Sequence, residues 1–216
     1  MNNLLQIPII RQRHPGLSPL QPFDVIGEYH YGPMTNFEGD MHYALQLCII
    51  MCGSMELMFE NYRREFFPGE ACWTMFWEPH AYRFTGRRNY VVTINIDIDY
   101  LGSCDPFREC NWLLPFVLQP EQRYCPVGVM ERDEMRQYAA KLLKMWQLRP
   151  ANWKLQGWFL IHQMILQALA QLNTNNSAAT PGNEKDAPEF TYSFKKIKAA
   201  VDLVRSTSGR PPTLED

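Results

Sequence analysis

The six cysteines, Cys48, Cys52, Cys72, Cys104, Cys110 and Cys125, include no Cys-x-x-Cys pair, which excludes a zinc ribbon and a thioredoxin-like redox motif. Several sit in apolar, strand-like runs, where a reduced thiol behaves as a small hydrophobe, so a reducing cytoplasm is the expected compartment. Residues 1–14 lack an apolar core of signal-peptide length and no stretch approaches a membrane span; a soluble, unexported protein with no membrane partner is expected. An excess of either charge is also lacking: 21 Lys and Arg face 23 Asp and Glu, a formal net charge of -2. Any nucleic-acid binding would therefore need a local patch or a further domain. Catalytic signatures are missing too. There is no nucleophile elbow, phosphate-cradling glycine loop, His-x-His pair or paired catalytic carboxylates; Asp97 and Asp99 have the i, i+2 spacing of one strand face and read as its solvated end. An enzyme is not expected, and no catalytic residue, metal or cofactor is assigned.

What is present is a chain of 216 residues, 46% hydrophobic, long enough for one well-buried core with some length left over. Residues 1–40 carry Pro8, Pro15, Pro19, Pro22 and Pro33, which suits an extended arm leading into the first strands. Residues 41–128 hold runs rich in β-branched, aromatic and sulfur residues: Tyr43 to Met51, Met55 to Phe59, Ala71 to Trp77 and Tyr90 to Ile98. Turn signals at Cys52-Gly53-Ser54, Glu60-Asn61, Phe67-Pro68-Gly69-Glu70 and Thr85-Gly86 separate them. In the last run Tyr90, Val92, Ile94 and Ile96 alternate with Val91, Thr93, Asn95 and Asp97, the period of a strand with one apolar and one largely polar face. A small barrel or sandwich follows.

After Cys125-Pro126 the period changes to about 3.6. Residues 129–172 read as two helices, one over Glu131 to Gln147 and one over Ala151 to Leu172. The second is apolar on two sides. Leu155, Trp158, His162, Ile165, Leu169 and Leu172 follow heptad a/d spacing, and Phe159, Leu166 and Ala170 lie beside them. Either the helix is sandwiched between its neighbour and the barrel, or the heptad stripe is a homodimer seam; we assign the seam. Residues 173–189 have no apolar periodicity and read as a flexible linker. Residues 190–216 begin with a helix bearing Lys195, Lys196, Lys198 and Arg205. They end on Gly209-Arg210-Pro211-Pro212-Thr213-Leu214-Glu215-Asp216, a stop followed by the cap of another helix, so a chain cut just inside a second, helical domain is expected.

That ending resembles the opening of the DNA-binding domain of AraC/XylS-type transcriptional regulators, with their "(S/T)-L-E-(D/E)" start of the first helix-turn-helix. Upstream, the prolyl arm, a Gly53 hairpin turn, Phe67-Pro68-Gly69-Glu70 in place of "l-x-P-G-D", and Pro79-His80 in place of "p-x-x-H" resemble the family's cupin barrel. Glu70 departs from the usual Asp. The resemblance implies a double-stranded β-helix (jelly-roll) barrel followed by two packed helices. It implies a small-molecule effector, a sugar or related metabolite, sensed in the barrel, and DNA bound by the domain beyond the cut. Trp73, Trp77, His80, Tyr82, Arg83, Thr93 and Asn95 are the candidate effector contacts if the polar face of the strand at 90–98 points inward; pointing outward, they are ordinary surface. The alternative is a cupin-fold enzyme or sugar-binding protein with a metal held by His42 and His80, with His30 as an outside third ligand.

Overall fold

Glycine and proline corners cut the β-rich stretch into strands too short to pair with their sequence neighbours, and that shortness sets the architecture. The computed structural model describes residues 9–12, 17–18, 20–97, 112–123 and 128–176. Over these the chain forms β1 (Ile9–Gln12), β2 (Phe23–Tyr31), β3 (Glu38–His42), β4 (Leu45–Cys52), β5 (Met55–Met58), β6 (Arg63–Phe66), β7 (Ala71–Thr74), β8 (His80–Phe84) and β9 (Arg88–Ile96). Next come a short helix α1 (Leu114–Val117), a 3-10 turn (Pro120–Gln122), α2 (Val129–Leu148) and α3 (Trp153–Asn176). One sheet has the order β1-β3-β8-β5-β6, the other β2-β9-β4-β7. From β2 onward the chain changes sheet at every connection but one, the hairpin at Glu60-Asn61 that joins β5 to β6. This is the winding of a jelly roll.

Gly53 is therefore not a hairpin turn. Strands β4 and β5 lie in different sheets, and Gly53, at φ +79°, turns the corner between them. A Cβ there would stand 2.2 Å from the Arg88 carbonyl oxygen, so the corner admits only glycine. The proline-bearing arm region contains β2, framed by Pro22 and Pro33 at its two ends, where a missing N–H costs no ladder bond.

The two sheets face each other across one core in which Cys48, Ile50 and Val91 of one meet Leu57, Phe66 and Phe84 of the other. Helix α2 packs on the outside of β2, β4 and β9 with Met135, Ala139, Leu142 and Leu143 buried. Helix α3 comes close to both: a Cβ on Gly157 would lie 2.7 Å from Phe23 Cζ and 3.0 Å from Leu142 Cδ1. Phe23 is the hub of this junction, its ring 6.0, 5.8 and 5.7 Å from Trp146, Trp153 and Trp158.

The heptad stripe of α3 does not form one face. Trp158, Ile165 and Leu172 are buried within the chain, Leu155 is 59% exposed, and His162 and Leu169 are half-buried. A straight helix drifts about 20° per heptad, so a/d positions here straddle the border between core and solvent. The exposed apolar stripe is instead Leu155, Phe159 and Leu166. Helix α3 also runs to Asn176, so the linker expected from residue 173 begins as helix. Its remainder, 177–189, and the basic stump at 190–216 lie outside the described residues, as do Ile98, Asp99, Cys104, Cys110 and Cys125.

Candidate functional site

Strand β9 decides what the barrel can hold. Its Val91, Thr93 and Asn95 line the interior, while the opposite face, Val92, Ile94 and Ile96, is fully buried on the sheet that α2 covers. The register stacks the interior in layers: Ile50 beside Val91, Cys48 beside Thr93, Gln46 beside Asn95, with Cys72 and Thr74 opposite Cys48 and Gln46. One end of the interior is therefore apolar and the other is a polar floor. The result is a cavity of about 90 Å³, room for about three waters. Gln46 Nε2 donates to Asn95 Oδ1 at 3.2 Å. Asn95 is fully buried, and its Nδ2 has no hydrogen-bond partner among the described residues.

A wider opening of about 400 Å³, lined by Glu28, Tyr29, His30, Met34, Glu38, Tyr82 and Phe84, lies next to this interior. The two share Glu28, Tyr82 and Phe84 in their walls. Tyr82 donates to Glu38 Oε2 at 2.9 Å. Burial first, and then the carboxylates of Glu38, Glu28 and Asp40, push its hydroxyl above the usual tyrosine range, which shows three acids converging on one group. No Lys or Arg lines either space. Cys48, pushed up to about 12 by burial, is an inert wall thiol rather than a nucleophile.

At the floor the β3–β8 register sets Asp40 opposite His80. One donor atom from each of Asp40, His42 and His80 lies within 4.8 Å of the others, and all three residues are buried. His42 Nδ1 donates to the Ala44 carbonyl at 3.0 Å and His80 Nδ1 to the Glu78 carbonyl at 2.9 Å, which leaves both Nε2 atoms as acceptors. His80 Nε2 stands 4.0 Å from Asp40 Oδ2. Burial, then the neighbouring His42, lowers the His80 pKa, so its ring is neutral at pH 7. Donor chemistry of two imidazoles and a carboxylate suits a divalent transition metal. Ligands held at about 2.1 Å from one ion lie at most about 4.2 Å apart, so the cluster would have to draw in to close on one. The sequence offered His42 and His80; Asp40 was missed, because only the pairing of β3 with β8 brings it in. His30 lies elsewhere, stacked on Phe84 at the opening.

Of the residues expected to touch an effector, His80, Tyr82, Thr93 and Asn95 line the cavity, and the other three do not. Trp73 faces the opposite way, its ring 5.0 Å from Phe116. The strand expected to reach Trp77 ends at Thr74, so the two tryptophans share no strand face; Trp77 stands in the following turn at φ +54° and is 37% exposed. Arg83 alternates outward from His80 and Tyr82 on β8; it donates to Glu56 at 2.6 Å and covers the Phe37 ring. Gln46, Thr74, Glu28 and Glu38 were missed. Inward parity from Asn95 would have found Gln46 and Thr74 once the pairing was known.

Two clamps hold the walls. Glu70 accepts from the Phe67 amide at 3.1 Å, from Arg64 at 3.5 Å and from Arg132 of α2 at 3.0 Å. Arg123 donates to the Trp73 carbonyl at 2.6 Å and to both Glu78 oxygens at 2.8 and 2.6 Å, while Glu78 also accepts from the Met75 amide.

No protein-family model and no curated protein sequence matches the chain. Among solved structures, ToxT from Vibrio cholerae shares the fold at 14% identity and TM-score 0.56, over 91% of this chain and 69% of that one. Shorter matches include the Cupin_2 domain of an XRE family transcriptional regulator from Enterobacter cloacae, with 17% identity, 37% of this chain, 85% of that one and TM-score 0.33. A mutant oxalate decarboxylase from Bacillus subtilis matches at 10% identity, over 35% of this chain and 21% of that one, with TM-score 0.32. The chain spans less than half the length of several proteins it matches. The fold is a cupin-like barrel followed by two packed helices.

Proposed function

We propose that this chain carries the effector-sensing and dimerising region of an AraC-type DNA-binding transcriptional regulator. The observation that carries the reading is the interior cavity, a pocket with apolar walls and a few fixed polar groups that no catalytic constellation accompanies among the described residues. The fold likeness to ToxT, an AraC-family protein, supports it. A small molecule enters at the opening and reaches the polar floor; at about 90 Å³ the interior takes only part of a sugar-sized molecule, the rest lying in the opening. Two chains pair through the Leu155, Phe159 and Leu166 stripe of α3, and occupancy of the barrel alters how the pair presents its DNA-binding domains to two half-sites. The protein expressed from its complete reading frame is the reagent for the test, in mobility shifts against its own upstream region at several salt concentrations. Specific binding that weakens steeply with salt is expected; its absence, with and without candidate effectors, removes the regulator reading.

A second reading is favoured by the Asp40, His42 and His80 cluster: a cupin-fold metal enzyme. Elemental analysis of the purified protein separates the two. A stoichiometric transition metal together with catalytic turnover would select the enzyme.

A further inference from the structure

We propose that the effector is an organic cation, a small amine whose charged nitrogen sits in the opening of the barrel and whose tail carries a hydrogen-bond acceptor for the floor. The inference rests on the sensing reading and narrows its ligand to a chemical class. Charge points one way: Glu28 and Glu38 stand at the opening and Asp40 at the floor, with no lysine or arginine in either wall to balance them. The rings of Tyr29, Tyr82 and Phe84 share the opening with the two glutamates, and ring faces attract a cation. An anion entering here would meet only like charge, and a neutral sugar would leave the carboxylates unanswered.

The floor supplies the second requirement. Asn95 is fully buried at the bottom of the same cavity, and its Nδ2 has no partner among the described residues. A buried donor left unpaired is costly; an acceptor atom on the ligand tail satisfies it. Glu28 pairs in register with Val91 and Asp24 with Asn95, so the glutamate level and the floor are four residues apart along the sheet. That spacing is about 13 Å at the usual strand rise, a span that the Glu28 side chain shortens from above. The cavity is narrow enough for an unbranched chain rather than a ring.

The test uses a matched set in calorimetry and thermal-shift titrations: 4-amino-1-butanol, 1,4-butanediol, 4-hydroxybutyrate and n-butylamine. The aminoalcohol should bind at least tenfold more tightly than the diol or the hydroxy acid. n-Butylamine, which lacks the acceptor, should fall between. Glu28→Gln and Glu38→Gln, which keep size and hydrogen-bonding capacity, should each weaken the aminoalcohol about tenfold, while Glu60→Gln on an exposed turn should not. Equal or tighter binding of the diol or the acid, full affinity in both Gln variants, or no response to any amine overturns the proposal. Binding of the diol or the acid would leave the sensing reading standing, since that reading falls only on the DNA result.

Discussion

Glu70 shows how one methylene can matter. The resembling family carries Asp at this turn, and the longer Glu here still caps the Phe67 amide while reaching Arg132 on α2. Glu70→Asp should keep the cap, lose the link to the helix and cost about 1–2 kcal/mol, read by urea denaturation; an unchanged midpoint would show that the Arg132 contact contributes nothing. His162 gives a pH signature. Burial lowers its pKa from 6.5 to about 4, so below pH 6.5 the unfolded chain takes up a proton that the folded chain refuses. Stability should therefore fall as the pH drops from about 6.5 toward 4, and His162→Gln should flatten that part of the profile in thermal melts taken at each pH. A variant whose profile runs parallel to the parent's would place the sensitivity elsewhere.

At the scale of elements, α3 separates burial from association. Ile165 is fully buried, so Ile165→Ala should cost about 2–5 kcal/mol and act on folding. Phe159→Glu with Leu166→Glu changes only exposed positions, and sedimentation should find folded monomers; a dimer surviving that pair of changes would move the interface off this stripe. The helix itself was legible from its period, but its orientation was not, because it is apolar on two sides and only the position of Phe23 and α2 selects which side goes in. Strand β9 tells the same story. Alternation placed Thr93 and Asn95 on one face, while the choice of face waited on α2 covering the other. Long-range pairing hid most of the rest: Asp40 meets His80 through a register between strands far apart in sequence, and Trp77 left its expected strand because the chain turns after Thr74.

For the whole molecule, the interior and the helices are tied through few points, which gives occupancy a route outward. Hydrogen exchange with and without 4-amino-1-butanol should show protection gained at β8 and β9 together with a change at the start of α2. A response confined to the barrel strands would mean that binding goes no further. Glu78 is the residue to watch in such an experiment. Its backbone carbonyl holds the His80 ring on the inner wall, while its carboxylate holds Arg123 outside the strands, in the stretch that precedes α2. The residue thus works as a bell crank: a ligand that turns the imidazole pulls on one arm, and the guanidinium feels the other. Glu78→Gln should leave the pocket able to fill yet deaf, with a bound barrel and an unmoved helix.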